Sequence, residues 1–125
     1  YWLRELGHVD QAEAFLREGQ RNNPDSAEIY FELARLYERD RGNLEHARRL
    51  YSLALQKWEK ANAGVEDPDT LAMGQILGRL GYVCEQLGRL DEALRCYTAL
   101  KAVSPNPQGV EALIEKLQRK MQARP

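Results

Sequence analysis

The 125-residue chain has little that would build a sheet, cross a bilayer, attract nucleic acid or hold a metal. β-Branched residues are scarce, which argues against substantial strand content. No apolar run approaches the roughly 20 residues that a membrane-spanning helix needs, so no membrane insertion is expected. Neither charge is in excess: 18 Lys and Arg face 19 Asp and Glu, for a net −1. Such a chain has no long-range field to draw in phosphates, and nucleic acid is not an expected partner. There are two cysteines, Cys84 and Cys96, with no Cys-x-x-Cys spacing. Both fall among apolar residues and read as small core hydrophobes. Neither His8 nor His46 is placed to complete a zinc site.

Catalytic constellations are missing as well. Ser26, Ser52 and Ser104 have no base paired with them in the pattern, and no glycine-rich loop follows a strand. Acidic residues alternate with arginines, as on solvated helix faces. No cofactor, metal or catalytic residue is expected. The chain opens Tyr1-Trp2-Leu3, without Met and with a helical pattern under way, so it reads as a piece of a longer protein. A targeting signal could lie upstream, and the compartment stays open, the cytoplasm being favoured over the periplasm.

What the sequence has is Leu, Ala, Glu, Arg and Gln, all good helix formers, arranged in a repeat. Three stretches align on their glycines: Gly7-His8-Val9-Asp10-Gln11-Ala12, Gly42-Asn43-Leu44-Glu45-His46-Ala47 and Gly88-Arg89-Leu90-Asp91-Glu92-Ala93. An amphipathic run follows each, carrying Phe15-Leu16, Leu50-Tyr51 and Cys96-Tyr97. The first run closes at Pro24 and the third at Pro105, both 17 residues past their glycine. Before the second and third glycines the apolar residues Tyr30, Leu33, Ala34, Tyr37 and Leu77, Leu80, Gly81, Cys84 recur at helical spacing. The unit is therefore helix, glycine turn, helix, proline stop. Gly7, Gly42 and Gly88 are expected at positive φ. Ala12, Ala34, Ala47, Gly81 and Ala93 are expected where helices approach closely, with Tyr37, Tyr51 and Tyr97 filling gaps. Asp25 to Glu28 offers a capping box for the next helix.

This pattern resembles the tetratricopeptide repeat (TPR), most closely in Leu77-x2-Leu80-Gly81-x2-Cys84, Asp91-Glu92-Ala93-x3-Tyr97 and Pro105. The copy from Tyr37 to Leu55 also resembles the half-a-TPR variant of RNA-processing scaffolds. Cys84 stands where the family prefers Tyr, Gly19 and Leu100 where it prefers Ala, and an extra residue precedes Gly42. The resemblance implies an all-α, α-α superhelix of antiparallel helix pairs. The expected layout is one domain over 1–125: a partial repeat 1–24, repeats 25–63 and 67–105, and a capping helix 106–122, with its helix near Gln108–Gln122.

Spacing marks one irregularity. Gly7 and Gly42 are 35 residues apart but Gly42 and Gly88 are 46. If the surplus is split between a helix ending near Ala63 and one running Pro68 to Leu87, each gains about 9 Å at 1.5 Å per residue. The hairpin so formed, around Trp58 and Met73, would project toward a partner or a neighbouring domain.

The resemblance also implies a protein or peptide partner on the concave face, lined by the first helix of each pair. That places Glu28, Phe31, Glu32, Arg35, Glu38 and Arg39 in one repeat and Gln75, Gly78, Arg79, Tyr82 and Gln86 in the next. Phe31 and Tyr82 are the expected anchors, and Arg35 and Arg79 the groups for carboxylates or carbonyls. The carboxylate clamp of chaperone-binding members is not matched, because Glu32 and Gln75 replace its Asn and Lys. The rival function is a structural spacer or self-association segment of a longer protein, with homodimerisation through an uncapped N-terminal end at Trp2 and Leu3.

Overall fold

The computed structural model describes the backbone of residues 2–123 and the side chains of residues 7–123. Six helices follow in order: α1 (Trp2–Asn22), α2 (Ala27–Arg39), α3 (Leu44–Ala61), α4 (Leu71–Gln86), α5 (Leu90–Val103) and α6 (Pro107–Gln122). Among the described residues there is no strand, and the fold is all-α. The chain divides into two compact units, Tyr1–Ala63 and Gly64–Pro125.

In the first unit α2 packs against α1 and, more extensively, against α3. Leu33, Ala34, Ala47, Tyr51 and Ala54 lose all contact with solvent, and Tyr30, Leu36 and Leu50 nearly so. Each buried Leu contributes about 1.5–3 kcal/mol by leaving water. The turn between α2 and α3 works as its glycine requires. Gly42 sits at φ 65°, and this left-handed step lets the Asn43 N–H reach back 2.9 Å to the Tyr37 carbonyl. The corresponding turn of the second unit has Gly88 at φ 80° and closes on the Cys84 carbonyl, from the Arg89 N–H, also at 2.9 Å. The first bond spans six residues and the second five, so the extra residue before Gly42 is absorbed in the turn.

In the second unit α5 packs between α4 and α6. Its core is Ile76, Leu77, Leu80, Val83, Cys84, Leu90, Ala93, Tyr97, Val110, Ile114 and Leu117. On α6, Val110, Ile114 and Leu117 form the buried stripe, while Leu113 is 44% exposed and lies off it. Pro107 takes the first turn of α6 and Asn106 caps it, accepting from the Gly109 N–H at 3.1 Å. The helix thus begins one residue before the expected Gln108.

Three expectations need correction. Gly7 does not end a helix, because α1 runs through it. Ala12, expected at a close approach, is exposed, and Phe15 is 76% exposed. Among the described residues, neither Ala12 nor Phe15 gains the burial that would repay a break in the helix. Second, Ser26 and not Asp25 caps α2, accepting from the Ile29 N–H, which leaves the Asp25 carboxylate 3.1 Å from Lys57 Nζ. Third, the first helix of the later pair starts at Leu71 and not at Pro68. Asp67 adopts φ 55° and Gly64 φ 78°, and the Asp69 carboxylate accepts from the Leu71 N–H at 3.0 Å. The surplus residues are therefore shared between the connection 62–70 and the two helices beside it. α3 has 18 residues against 14 in α5, and α4 has 16 against 13 in α2.

The two full copies share a brace that the apolar pattern does not reveal. Tyr51 on α3 donates its hydroxyl to Glu38 Oε1 on α2 at 2.6 Å. Tyr97 on α5 donates to Glu85 Oε1 on α4 at 3.2 Å. Burial first, then the Glu85 charge, pushes the Tyr97 phenol well above its ordinary range, so it remains the donor.

Candidate partner-binding groove

In the first unit residues of α1 and α2 line a shallow groove of about 190 Å³. Leu16 and Leu36 give it an apolar floor, and Ala12, Glu32, Arg35, Arg39 and Asp40 complete its walls. Three of the expected surface residues are thus brought together: Glu32, Arg35 and Arg39. Arg35 pairs with Glu32 at 3.2 Å and also lies over the Phe31 ring, 5.8 Å from its centroid. That contact holds the guanidinium at the groove wall while leaving part of it in solvent.

Phe31 is less available than expected. Its ring packs against Tyr51 at 5.6 Å between centroids with a 59° tilt, and it is half-buried. Glu38 faces Tyr51 and not the open surface. Glu28 stands exposed in the first turn of α2.

The remaining positions lie on α4. Gln75 is exposed, and Arg79 lies over the Tyr82 ring at 5.1 Å. Tyr82 is 43% exposed, the more open of the two expected anchors. Arg35 over Phe31 and Arg79 over Tyr82 repeat one device, an arginine placed over an aromatic ring one turn away.

Sequence reasoning missed the contribution of α1. Ala12 and Leu16 were assigned to packing. The only available signal was the i, i+4 spacing of Ala12 and Leu16. A polar network fixes α1 against α2 near this groove. Arg41 reaches Asp10 at 2.5 Å and Glu13 at 2.7 Å. Glu13 also accepts from the Tyr37 hydroxyl, and Arg17 donates to that hydroxyl at 3.1 Å. The Tyr37 hydroxyl, and after it Arg41 and Arg17, hold the Glu13 carboxyl below its ordinary value of 4.5 against an opposing burial effect.

A carboxyl whose folded pKa is depressed stabilises the fold above its ordinary pKa and stops doing so as pH falls through the folded value. Acidification through and below the ordinary carboxylate range is therefore expected to release α1 from α2 before α2 leaves α3. Amide hydrogen exchange at these pH values would show it as protection lost in α1 but kept in α3. Glu13→Gln should remove the pH step, and a step that persisted in that variant would assign it to another carboxylate.

Helix pairs closed by glycine turns and braced by a tyrosine from the second helix define a helical-repeat protein. Tetratricopeptide repeat models match residues 3–62 and 76–124, and the chain belongs to the tetratricopeptide repeat family. No curated protein matches it. Among the described residues no helix is long and apolar enough to cross a membrane, and no group of three His, Cys, Asp or Glu could hold a metal ion.

Proposed function

We propose that this chain is a non-catalytic protein-interaction scaffold that takes a peptide or a helix of a partner on the faces of its first helices, the concave side in this family. The observation that carries the reading is the α1–α2 groove, in which an apolar floor of Leu16 and Leu36 is flanked by Arg35 and Arg39. Such a surface suits a segment that buries an aliphatic side chain and offers carbonyls or a carboxylate to the arginines. On α4, Gln75, Arg79 and the open edge of Tyr82 act as a second contact region. The repeat limits 25–63 and 67–105 belong to the same proposal.

A displayed peptide library selected on the whole chain tests it. Selected peptides should lose at least about tenfold in affinity on Arg35→Ala with Arg39→Ala, the ~1.4 kcal/mol expected of charge-assisted contacts. Peptides that bind wild type and variant alike would overturn the groove assignment.

A second reading, self-association, is favoured by one observation: Phe15 is 76% exposed on the helix that forms a groove wall. The expected N-terminal contact at Trp2 and Leu3 falls outside the described side chains. Sedimentation over a hundredfold concentration range separates the readings, since a strict monomer removes the second.

A further inference from the structure

We propose that Cys84 and Cys96 form a peroxide-responsive dithiol that closes to an intramolecular disulfide and covalently joins α4 to α5. Both cysteines are free thiols. They stand on helices that pack directly on one another. The approach is close: a Cβ built on Gly81 would fall 2.6 Å from the Tyr97 ring, so Tyr97 lies against the α4 backbone. Cys84 is one helical turn beyond Gly81, and Cys96 is the neighbour of Tyr97.

The side chains meet as this packing requires. Cys84 Sγ lies 3.7 Å from Glu92 Oε2. Glu92 and Cys96 are four residues apart on α5 and share a face, so the Cys84 S–H has the carboxylate and the Cys96 sulfur as neighbouring acceptors. The Cys84 S–H bond holds the Cys96 thiol below the ordinary cysteine range, against burial and the Glu92 charge, with Arg95 adding to the lowering.

Exposure assigns the order of reaction. Cys84 is 1% exposed, whereas Cys96 is only partly buried, so the oxidant meets Cys96 first. Its thiolate attacks one oxygen of hydrogen peroxide and breaks the O–O bond. The products are the Cys96 sulfenic acid and hydroxide, which takes a proton to become water. Cys84 gives its proton to Glu92, attacks the Cys96 sulfur and forms the S–S bond. Hydroxide leaves and is protonated to a second water. In sum the two thiols lose two protons and two electrons, and one peroxide becomes two waters. The bond ties α5 to α4, the helix that carries Gln75, Arg79 and Tyr82.

The test treats the intact chain with a slight excess of hydrogen peroxide and reads it by intact mass, peptide mapping and maleimide labelling after denaturation. The expected result is a loss of two hydrogens, a Cys84–Cys96 cross-linked peptide, and complete loss of labelling that dithiothreitol restores. Cys84→Ser should stop at a Cys96 sulfenic acid that dimedone traps, and Cys96→Ser should keep Cys84 as a thiol. Glu92→Gln should form the same sulfenic acid but close it about tenfold more slowly. Wild-type protein that keeps both thiols, accumulates oxygenated Cys96 without the cross-link, or links only between chains overturns the proposal. Closure of Glu92→Gln at the wild-type rate removes Glu92 from the pathway.

Discussion

Tyr51→Ala is expected to cost the first unit about 3–5 kcal/mol, the range for deleting a large aromatic from a packed core. Tyr51 is fully buried between α2 and α3, its ring meets Phe31 at 5.6 Å, and its hydroxyl donates to Glu38 at 2.6 Å. For a 63-residue unit, total stability on the order of 3–9 kcal/mol follows from typical per-residue values, so this one change takes a large part of it. Tyr51→Phe separates the two contributions. It keeps the ring and removes only a hydrogen bond to a carboxylate, for a loss of about 1.5–3 kcal/mol. Urea unfolding followed by circular dichroism measures both. If Tyr51→Ala lost no more than Tyr51→Phe, the ring would not be packing as described. The effect should also reach the groove. Phe31 would lose its partner, and Phe31 carries the ring over which Arg35 lies. Peptide affinity is expected to fall in Tyr51→Ala under conditions where the unit is still folded.

The parts of the fold legible in the sequence are those that depend on one residue's own conformational need. Gly42 and Gly88 could be read as turns because each stands where a residue must adopt positive φ between two apolar stripes. Gly7 carries the same local sequence and proved helical. A turn is stable only if the helices on either side pack on each other, and on the described part of α1 Ala12 and Phe15 stand exposed. The start of α4 was misread for a related reason. Asp67-Pro68-Asp69 is good helix-start chemistry, but it serves equally well as a turn, and Asp67 at φ 55° took the turn.

The surface was legible only in part. The resemblance set Glu32, Arg35 and Arg39 on the open face of α2, and all three line the groove. It also set Glu38 on that face, where the hydroxyl of Tyr51, from the next helix, claims it. Periodicity reports which way a side chain leaves its own helix. It does not report what a neighbouring helix brings within reach, so the two Tyr–Glu braces and the place of α1 in the groove appeared only with the structure.

Three glycines on α4 then make the sharpest test of the second unit, because alanine should act with opposite sign along one helix. In isolation Gly→Ala in a helix gains about 0.8–1 kcal/mol. At Gly78 the added Cβ would stand 3.8 Å from Leu100 Cδ2 and at Gly74 3.7 Å from Leu100 Cδ1, both ordinary contacts. Gly78→Ala and Gly74→Ala should therefore stabilise, by about 0.5–1 kcal/mol each. At Gly81 the same methyl would lie 2.6 Å and 2.9 Å from Tyr97 ring carbons. The ring has nowhere to go: Tyr97 is 3% exposed and its hydroxyl is held by Glu85. Overpacking costs typically 1–3 kcal/mol, and the rigid aromatic puts this site toward the upper end. The clash outweighs the propensity gain, and Gly81→Ala is expected to destabilise by about 1–2 kcal/mol net. Tyr97→Leu in the Gly81→Ala background should relieve the clash, so the double variant loses less than the two single losses combined. Stabilisation by Gly81→Ala comparable with that by Gly78→Ala would mean that α4 and α5 stand further apart than described. It would also remove the close packing on which the joining of Cys84 to Cys96 depends.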